Sequence, residues 1–299
     1  MDLVIVGLGR MGANMARRLH LAGHHVVAFN RTADKTREIM GEGLDGAFTP
    51  EEALTKLPSP RIVWLMVPAG DATEQTIDEL AGLMAEGDVI VDGGNSNFGD
   101  SVRRGAALAE QGIGFVDAGT SGGVWGLDAG YALMVGGADA DVAKVAPVLE
   151  SLAPPNGFAH VGKVGAGHYT KMVHNGIEYG MMQAYAEGFA ILHSSDLDID
   201  AMAAVKSWQE GSVVRSWLLD LLIRALDDTP GFEGIRGVAA DSGEGRWTVN
   251  EAVRLGIAAP VISAALFARF VSQDEDQLTM KVIAALRHQF GGHTFEKAP

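Results

Sequence analysis

Lysine, carboxyl and imidazole side chains are the groups that move protons in catalysis, and this chain gathers all three kinds on a stretch that is otherwise largely apolar. The stretch is Gly165-Ala166-Gly167-His168-Tyr169-Thr170-Lys171-Met172-Val173-His174-Asn175-Gly176-Ile177-Glu178-Tyr179-Gly180. At about 100° per residue in a helix, Lys171, Asn175 and Glu178 share one face, with His174 beside them. Lys171 and Glu178 are roughly 10 Å apart along the axis, so they are no simple i,i+4 ion pair. On a helix made apolar by Met172, Val173 and Ile177, such a polar stripe must face water or a ligand. Spacing alone leaves both readings open.

A second signal is Val6-Gly7-Leu8-Gly9-Arg10-Met11-Gly12, a G-x-G-x-x-G that follows an apolar run and opens a helix-period segment. There Gly7 permits the tight turn, Gly9 lets the backbone approach a pyrophosphate, and Gly12 lets helix and strand pack closely. The helix N-terminus points free N–H groups at the phosphates. About 20 residues on, such folds end the second strand in an acidic residue that binds the ribose 2′-hydroxyl of NAD. This chain reads Asn30-Arg31-Thr32 instead. Asn30 removes the charge that would repel a 2′-phosphate, Arg31 supplies a guanidinium for one, and Thr32 a hydroxyl. The expected cofactor is NADP, with NAD as the alternative. Arg31 has a second reading, as a solvated charge or a stacking partner for adenine.

Two further segments put polar groups outside the carboxyl ends of strands, where this kind of fold keeps its ligand crevice. One is Asp92-Gly93-Gly94-Asn95-Ser96; the other is Gly119-Thr120-Ser121-Gly122-Gly123-Val124-Trp125-Gly126. The backbone of Gly122 and Gly123 with the Ser121 hydroxyl suits an anion-binding nest. A plain glycine-rich connector is the other reading.

The elements that must carry these residues follow from pattern. Short apolar runs at Leu3–Val6, Val26–Phe29, Ile62–Met66, Val89–Asp92, Gly114–Asp117 and Ala132–Val135 alternate with helix-period segments, which predicts a parallel α/β sheet. After Gly167 strands fade and long helical stretches follow, including Thr170–His193, Met202–Glu210, Val214–Leu226 and Ser263–Val271. The fold class expected is α/β: a Rossmann-type parallel-sheet N-terminal domain over 1–162, then an all-helical C-terminal domain over 163–299 for substrate and oligomerisation. With 23 Lys+Arg against 38 Asp+Glu the formal charge is −15, and no basic block is present, which argues against nucleic acid and membrane surfaces as partners. The absence of cysteine removes disulfides, thiolate metal sites and thiol nucleophiles. His168, His174 and His293 have no metal-ligand spacing, so no metal is expected. No signal-peptide pattern and no apolar run near the ~20 residues of a membrane span is seen, so a cytoplasmic protein is the default.

Taken together, the glycine loop, Asn30-Arg31-Thr32, Asp92 to Ser96, Ser121-Gly122-Gly123 and Lys171 to Gly180 resemble the decarboxylating 6-phosphogluconate dehydrogenase family, within the 3-hydroxyacid dehydrogenase superfamily. Gly245-Arg246-Trp247-Thr248, the run Phe267-Ala268-Arg269 and the tail from Arg287 to Glu296 are similar to that family too. The resemblance implies oxidation of 6-phosphogluconate at C3, loss of carbon dioxide and release of ribulose 5-phosphate. It implies Lys171 as general base and Glu178 as the acid that protonates the enediol. Gly7, Gly9, Met11, Gly12, Asn30, Arg31, Thr32, Val67 and Asn95 would hold the cofactor. Asn95, Ser121, Gly122, Gly123, His174 and Asn175 would hold the carboxylate and hydroxyls, and Tyr179, Arg287 and His293 the phosphate end. A homo-oligomer, dimer or tetramer, is implied, with the tail contributing to a neighbouring subunit's site. The chain reads as a short form, and its loop Asp241-Ser242-Gly243-Glu244-Gly245-Arg246 lacks the family's phosphate-binding lysine, leaving Arg246 as the candidate replacement. Two other functions stay open: a non-decarboxylating 3-hydroxyacid dehydrogenase acting on a small acid, and a dinucleotide sensor or scaffold without turnover.

Overall fold

Apolar strands shielded by helices on both faces organise the first part of the chain. In the computed structural model, which describes residues 1–275, 277–291 and 294, they are β1 (Asp2–Val6), β2 (His25–Phe29), β3 (Asp45–Ala47), β4 (Ile62–Leu65), β5 (Val89–Asp92), β6 (Gly114–Ser121), β7 (Ala132–Gly137) and β8 (Phe158–Gly162). They form one sheet in the order β3-β2-β1-β4-β5-β6-β7-β8. Helices α1 (Arg10–Leu21), α2 (Ala33–Gly41), α3 (Pro50–Thr55), α4 (Asp71–Ala81), α5 (Phe98–Ala109), the single turn α6 (Gly126–Ala129) and α7 (Asp139–Leu152) make the connections. Every position of β4 and β5 is buried, as a parallel strand covered on both faces requires. Alternation along β1 sends Leu3 and Ile5 to one face, with Met15, Leu19 and Trp64, and Val4 and Val6 to the other, with Leu65, Ile77 and Leu80.

The sheet departs from the all-parallel expectation at one ladder: β7 runs antiparallel to β6. The intervening segment is too short for a helical crossover, so the chain must turn back. Strands β3 and β8 escape the apolar pattern because both lie at sheet edges. The former is a three-residue Asp-Gly-Ala run, and the latter has no buried position.

The chain divides into two compact units, Met1–His174 and Asn175–Pro299. Helix α8 (Ala166–His193) opens in the first and runs on into the second. The second unit continues with α9 (Ala201–Ser207), α10 (Trp217–Asp228), α11 (Glu244–Leu255), α12 (Pro260–Gln273) and α13 (Leu278–Gly291), and its described residues hold no strand. Helix α10 starts at Trp217 rather than at the expected Val214, because the Ser216 hydroxyl accepts the Leu219 N–H and ends the preceding turn. Its Leu219, Ile223 and Leu226 close a small core with Val205 of α9. Among the described residues no helix is long and apolar enough to cross a membrane.

Candidate active site

The three glycines of the first loop do three different jobs. Gly7 has φ +95°, and a Cβ there would lie 2.5 Å from the Met66 carbonyl oxygen. A Cβ on Gly12 would lie 2.0 Å from the Gly7 oxygen, so helix and loop touch through it. Gly9, the cap of α1, has nothing within 4 Å of the equivalent point, and the first turn of α1 carries no acidic residue. Open space in front of a helix N-terminus is what a pyrophosphate needs.

Asn30 turns out to have a second role. Its Oδ1 accepts the Leu8 N–H at 2.9 Å and its Nδ2 donates to the Thr32 carbonyl at 3.1 Å, so it brackets the end of β2 to the glycine loop. Arg31 and Thr32 are exposed, and Arg31 has no ion pair or hydrogen bond among the described residues. Met11 and Val67 are half-buried, and a Cβ on Gly94 would meet the Val67 carbonyl at 2.5 Å. These residues fit a dinucleotide laid across the carboxyl ends of β1, β2 and β4.

Beyond β5, Asn95 sits at φ +56°, in the left-handed region. It is held there by a reciprocal pair: its Oδ1 accepts the Thr120 N–H at 2.9 Å and its Nδ2 donates to the Thr120 carbonyl at 3.2 Å. Asp92 steadies the same turn, accepting from the Gly94 N–H and the Ser96 hydroxyl. The Ser121-Gly122-Gly123 loop wraps the buried Tyr131 ring, whose Cδ1 lies 3.0 Å from a Cβ built on Gly122, while Gly123 is open.

Lys171 owes its place to close backbone approach. A Cβ on Gly119 would sit 2.4 Å from the Lys171 Cβ, and one on Gly167 would sit 2.3 Å from the Asp117 carbonyl oxygen. The fully buried Asp117 carboxylate then caps α8 from β6, accepting the N–H groups of Gly165 and His168, each at 2.7 Å. A negative charge at a helix N-terminus is favourable. The first turns of α8 therefore belong to the first unit. Lys171 is only 5% exposed. Its Nζ lies 3.4 Å from His174 Nδ1. His168, given no role from sequence, is 1% exposed with Nδ1 2.7 Å from the Ser101 hydroxyl.

In the second unit Asn175 and Glu178 are half-buried. Tyr179 is 4% exposed; its ring lies against Gly245 and under the Arg269 guanidinium, whose Cζ is 3.5 Å from the ring centroid. The Tyr179 hydroxyl meets Ser242 Oγ at 3.2 Å and Asp241 Oδ1 at 3.4 Å. Arg246, the candidate replacement for the missing lysine, is already engaged, paired with Asp241 and stacked 4.4 Å over Phe270. Burial works against ionisation of Asp241, but hydrogen bonds from Arg246 and the Gly243 N–H outweigh it and hold the carboxyl below its usual range. Arg269, quoted in the sequence only within a run, is engaged too: besides stacking on Tyr179, its Nη1 donates to the Ala240 carbonyl at 2.8 Å. Arg287 is exposed on α13, and His293 lies outside the described residues. Among the described residues no group of three or more His, Asp or Glu side chains could hold a metal ion.

Residues 2–165 match the family described as the NAD binding domain of 6-phosphogluconate dehydrogenase, and residues 167–279 match the 6-phosphogluconate dehydrogenase C-terminal domain. The chain is 40% identical over 295 residues to an NAD(+)-dependent, decarboxylating 6-phosphogluconate dehydrogenase of Haloferax volcanii, covering 98% of each. It is 39% identical over 310 residues to the decarboxylating enzyme of Lactococcus lactis, covering 96% of this chain and 65% of that longer one. The solved 6-phosphogluconate dehydrogenase of Plasmodium falciparum superposes with a TM-score of 0.85 at 30% identity, covering 100% of this chain and 67% of that one.

Proposed function

The chain belongs to the 6-phosphogluconate dehydrogenase family, and on that premise we propose that it oxidises 6-phosphogluconate at C3 and decarboxylates the product to ribulose 5-phosphate. The observation that carries this reading is the burial of Lys171 against Gly119, at the carboxyl end of β6, in a unit built to bind a dinucleotide. When bound, the nicotinamide accepts the hydride that leaves C3. Lys171 takes the proton of the C3 hydroxyl as that hydride departs, then returns it as a hydrogen bond, and finally as a proton, to the keto oxygen. That ammonium stabilises the charge left when the C1–C2 bond breaks and carbon dioxide leaves. Glu178 gives a proton to the enediol carbon while Lys171 takes back the proton of the adjoining hydroxyl, whose oxygen becomes the carbonyl of ribulose 5-phosphate. Asn95, Ser121, Gly122, Gly123, His174 and Asn175 hold the carboxylate and hydroxyls; Tyr179, Arg287 and His293 serve the phosphate end.

The cofactor we favour is NADP. Support comes from the neutral Asn30 and from Arg31, which is exposed and unengaged among the described residues. The assembly we favour is a homo-oligomer whose tail reaches a neighbouring site. Apolar side chains left exposed on the second unit, among them Val261, Phe267 and Val271 and the α13 residues Leu278, Val282 and Leu286, support a covering copy.

Steady-state kinetics with 6-phosphogluconate, comparing NADP with NAD and following carbon dioxide, test the reading. Reduction of neither cofactor overturns it. Replacing Arg31 by Ala is expected to weaken NADP far more than NAD, and equal losses would remove the 2′-phosphate role. If Glu178→Gln leaves turnover intact and no carbon dioxide appears, the non-decarboxylating alternative is the right one.

A further inference from the structure

Helix α5 carries a buried polar edge that the reaction as described does not use. Arg104, 3% exposed, spends its whole guanidinium fork on four neighbouring residues. Nε donates to Glu74 Oε2 at 2.8 Å, at the start of α4. Nη2 donates to the Gly70 carbonyl at 3.2 Å, in the loop that leaves β4 after Val67. Nη1 reaches the Ser96 hydroxyl at 3.1 Å and Asp92 Oδ2 at 3.4 Å, in the turn that carries Asn95. One turn earlier on the same helix, Ser101 holds His168, three residues before Lys171.

A buried ion pair is weak evidence for stability, because desolvating both charges offsets most of their attraction. Asp92 is fully buried and Arg104 nearly so, which makes a stability role a poor explanation for the pair. What a planar guanidinium supplies is direction: donors fixed in a fork, which a lysine ammonium cannot reproduce. The loops it joins follow β4 and β5. With the pyrophosphate on α1 and the adenosine side toward β2, those two loops flank the other half of the dinucleotide.

We propose that Arg104 is a positioning residue for hydride transfer: it sets the Val67–Gly70 loop and the Asn95 turn at a fixed separation, while Ser101 and His168 tie the Lys171 turn to the same helix. This rests on the dehydrogenase reading above. A misplacement of about 1 Å costs on the order of 100-fold in rate, so loosening this frame acts on the chemical step before it acts on binding.

The test is Arg104→Lys, which keeps the charge and loses the fork. The expected result with 6-phosphogluconate is a kcat lowered about tenfold or more, a KM changed less than about threefold, and a larger primary isotope effect with substrate deuterated at C3. A folded Arg104→Lys enzyme with wild-type kcat and isotope effect overturns the proposal, whatever its melting temperature. Should that variant fail to fold, Ser96→Ala removes one acceptor and no charge; it is expected to lower kcat in the same direction, and wild-type kinetics there overturn the proposal equally. Wild-type inactivity with both NADP and NAD defeats the dehydrogenase reading alone. The positioning role is then read from direct NADP binding, with a weaker Kd expected in Arg104→Lys and an equal Kd counting against it.

Discussion

In the unit Met1–His174 the buried carboxylates have both oxygens occupied: Asp88 accepts the N–H groups of Arg61 and Ala85, Asp92 those of Gly94 and the Ser96 hydroxyl, Asp117 those of Gly165 and His168. In the unit Asn175–Pro299 the buried Glu251 has both oxygens taken by Arg254, but the apolar interior is built otherwise. Its small cores gather a few buried residues each, and large apolar side chains stand in solvent, with Val213 fully exposed and Ile191 and Val271 each 73% exposed. The first unit fixes its own site geometry through interior hydrogen bonds. The second leaves apolar surface that a further surface would cover, and it carries the residues read as serving the phosphate end.

The sharpest way to break this contrast is Asp117→Asn. The amide can accept only one of the two N–H groups now bonded to Asp117, and its NH2 faces the other. Hydrogen bonds to a charged group contribute about 1.5–3 kcal/mol, so denaturant unfolding should show a loss of that order. The turn that carries Lys171 should shift with it, lowering kcat. Unaltered stability and turnover would mean that the first unit is not held from within. The matching experiment on the other unit is deletion from Arg287 onward. Loss of a charge-assisted phosphate contact predicts a KM for 6-phosphogluconate raised about tenfold or more, with dinucleotide binding unchanged. An unchanged KM would remove the tail from the site.

Glu74 offers a smaller test, through pH. Hydrogen bonds from Arg103, at 2.5 Å, and then from Arg104 outweigh its burial and hold its carboxyl at about 2, well below 4.5. A folded-state value depressed in this way contributes stability that is complete above the unfolded value. It is lost as pH falls from about 4.5 through about 2. Because the pair with Arg103 lies at the surface, the effect of Glu74→Gln at neutral pH is expected near 1 kcal/mol. The difference between variant and wild type should shrink toward zero as the pH is lowered through that window. A difference that stays constant with pH would assign the loss to packing.

What the sequence made legible was local. The G-x-G-x-x-G loop, its strand and helix, and the alignment of Lys171 with Glu178 depend on residues a few positions apart. So does the switch from strand to helix patterning after Gly167. The partners that aim those residues were not legible, since Asn95 finds Thr120 and Asp117 finds His168 only once β5, β6 and the start of α8 are side by side. Strands β3 and β8 were missed because an edge needs no continuous apolar run. Arg246 and Arg269 both stand far from Tyr179 in sequence, and only packing distinguishes the one tied to Asp241 from the one stacked on the ring.

The smallest expected effect concerns Tyr131, one of four side chains of the first unit, with His24, Arg61 and His168, that bury a polar atom without a hydrogen-bond partner among the described residues. Tyr131 is fully buried, its hydroxyl has no hydrogen-bond partner, and burial pushes its pKa up to about 12. The ring itself is needed: Cβ atoms built on Gly122 and Gly126 would lie 3.0 and 2.0 Å from it, so the loop bearing Ser121 is folded around its flat face. The hydroxyl is a different matter. An unsatisfied buried polar group costs about 1–3 kcal/mol, and removing it leaves a gap of only one atom. Tyr131→Phe should therefore be neutral or more stable by up to about 1 kcal/mol, with KM unchanged because the loop keeps its pedestal. A destabilised variant would reveal a partner for that hydroxyl.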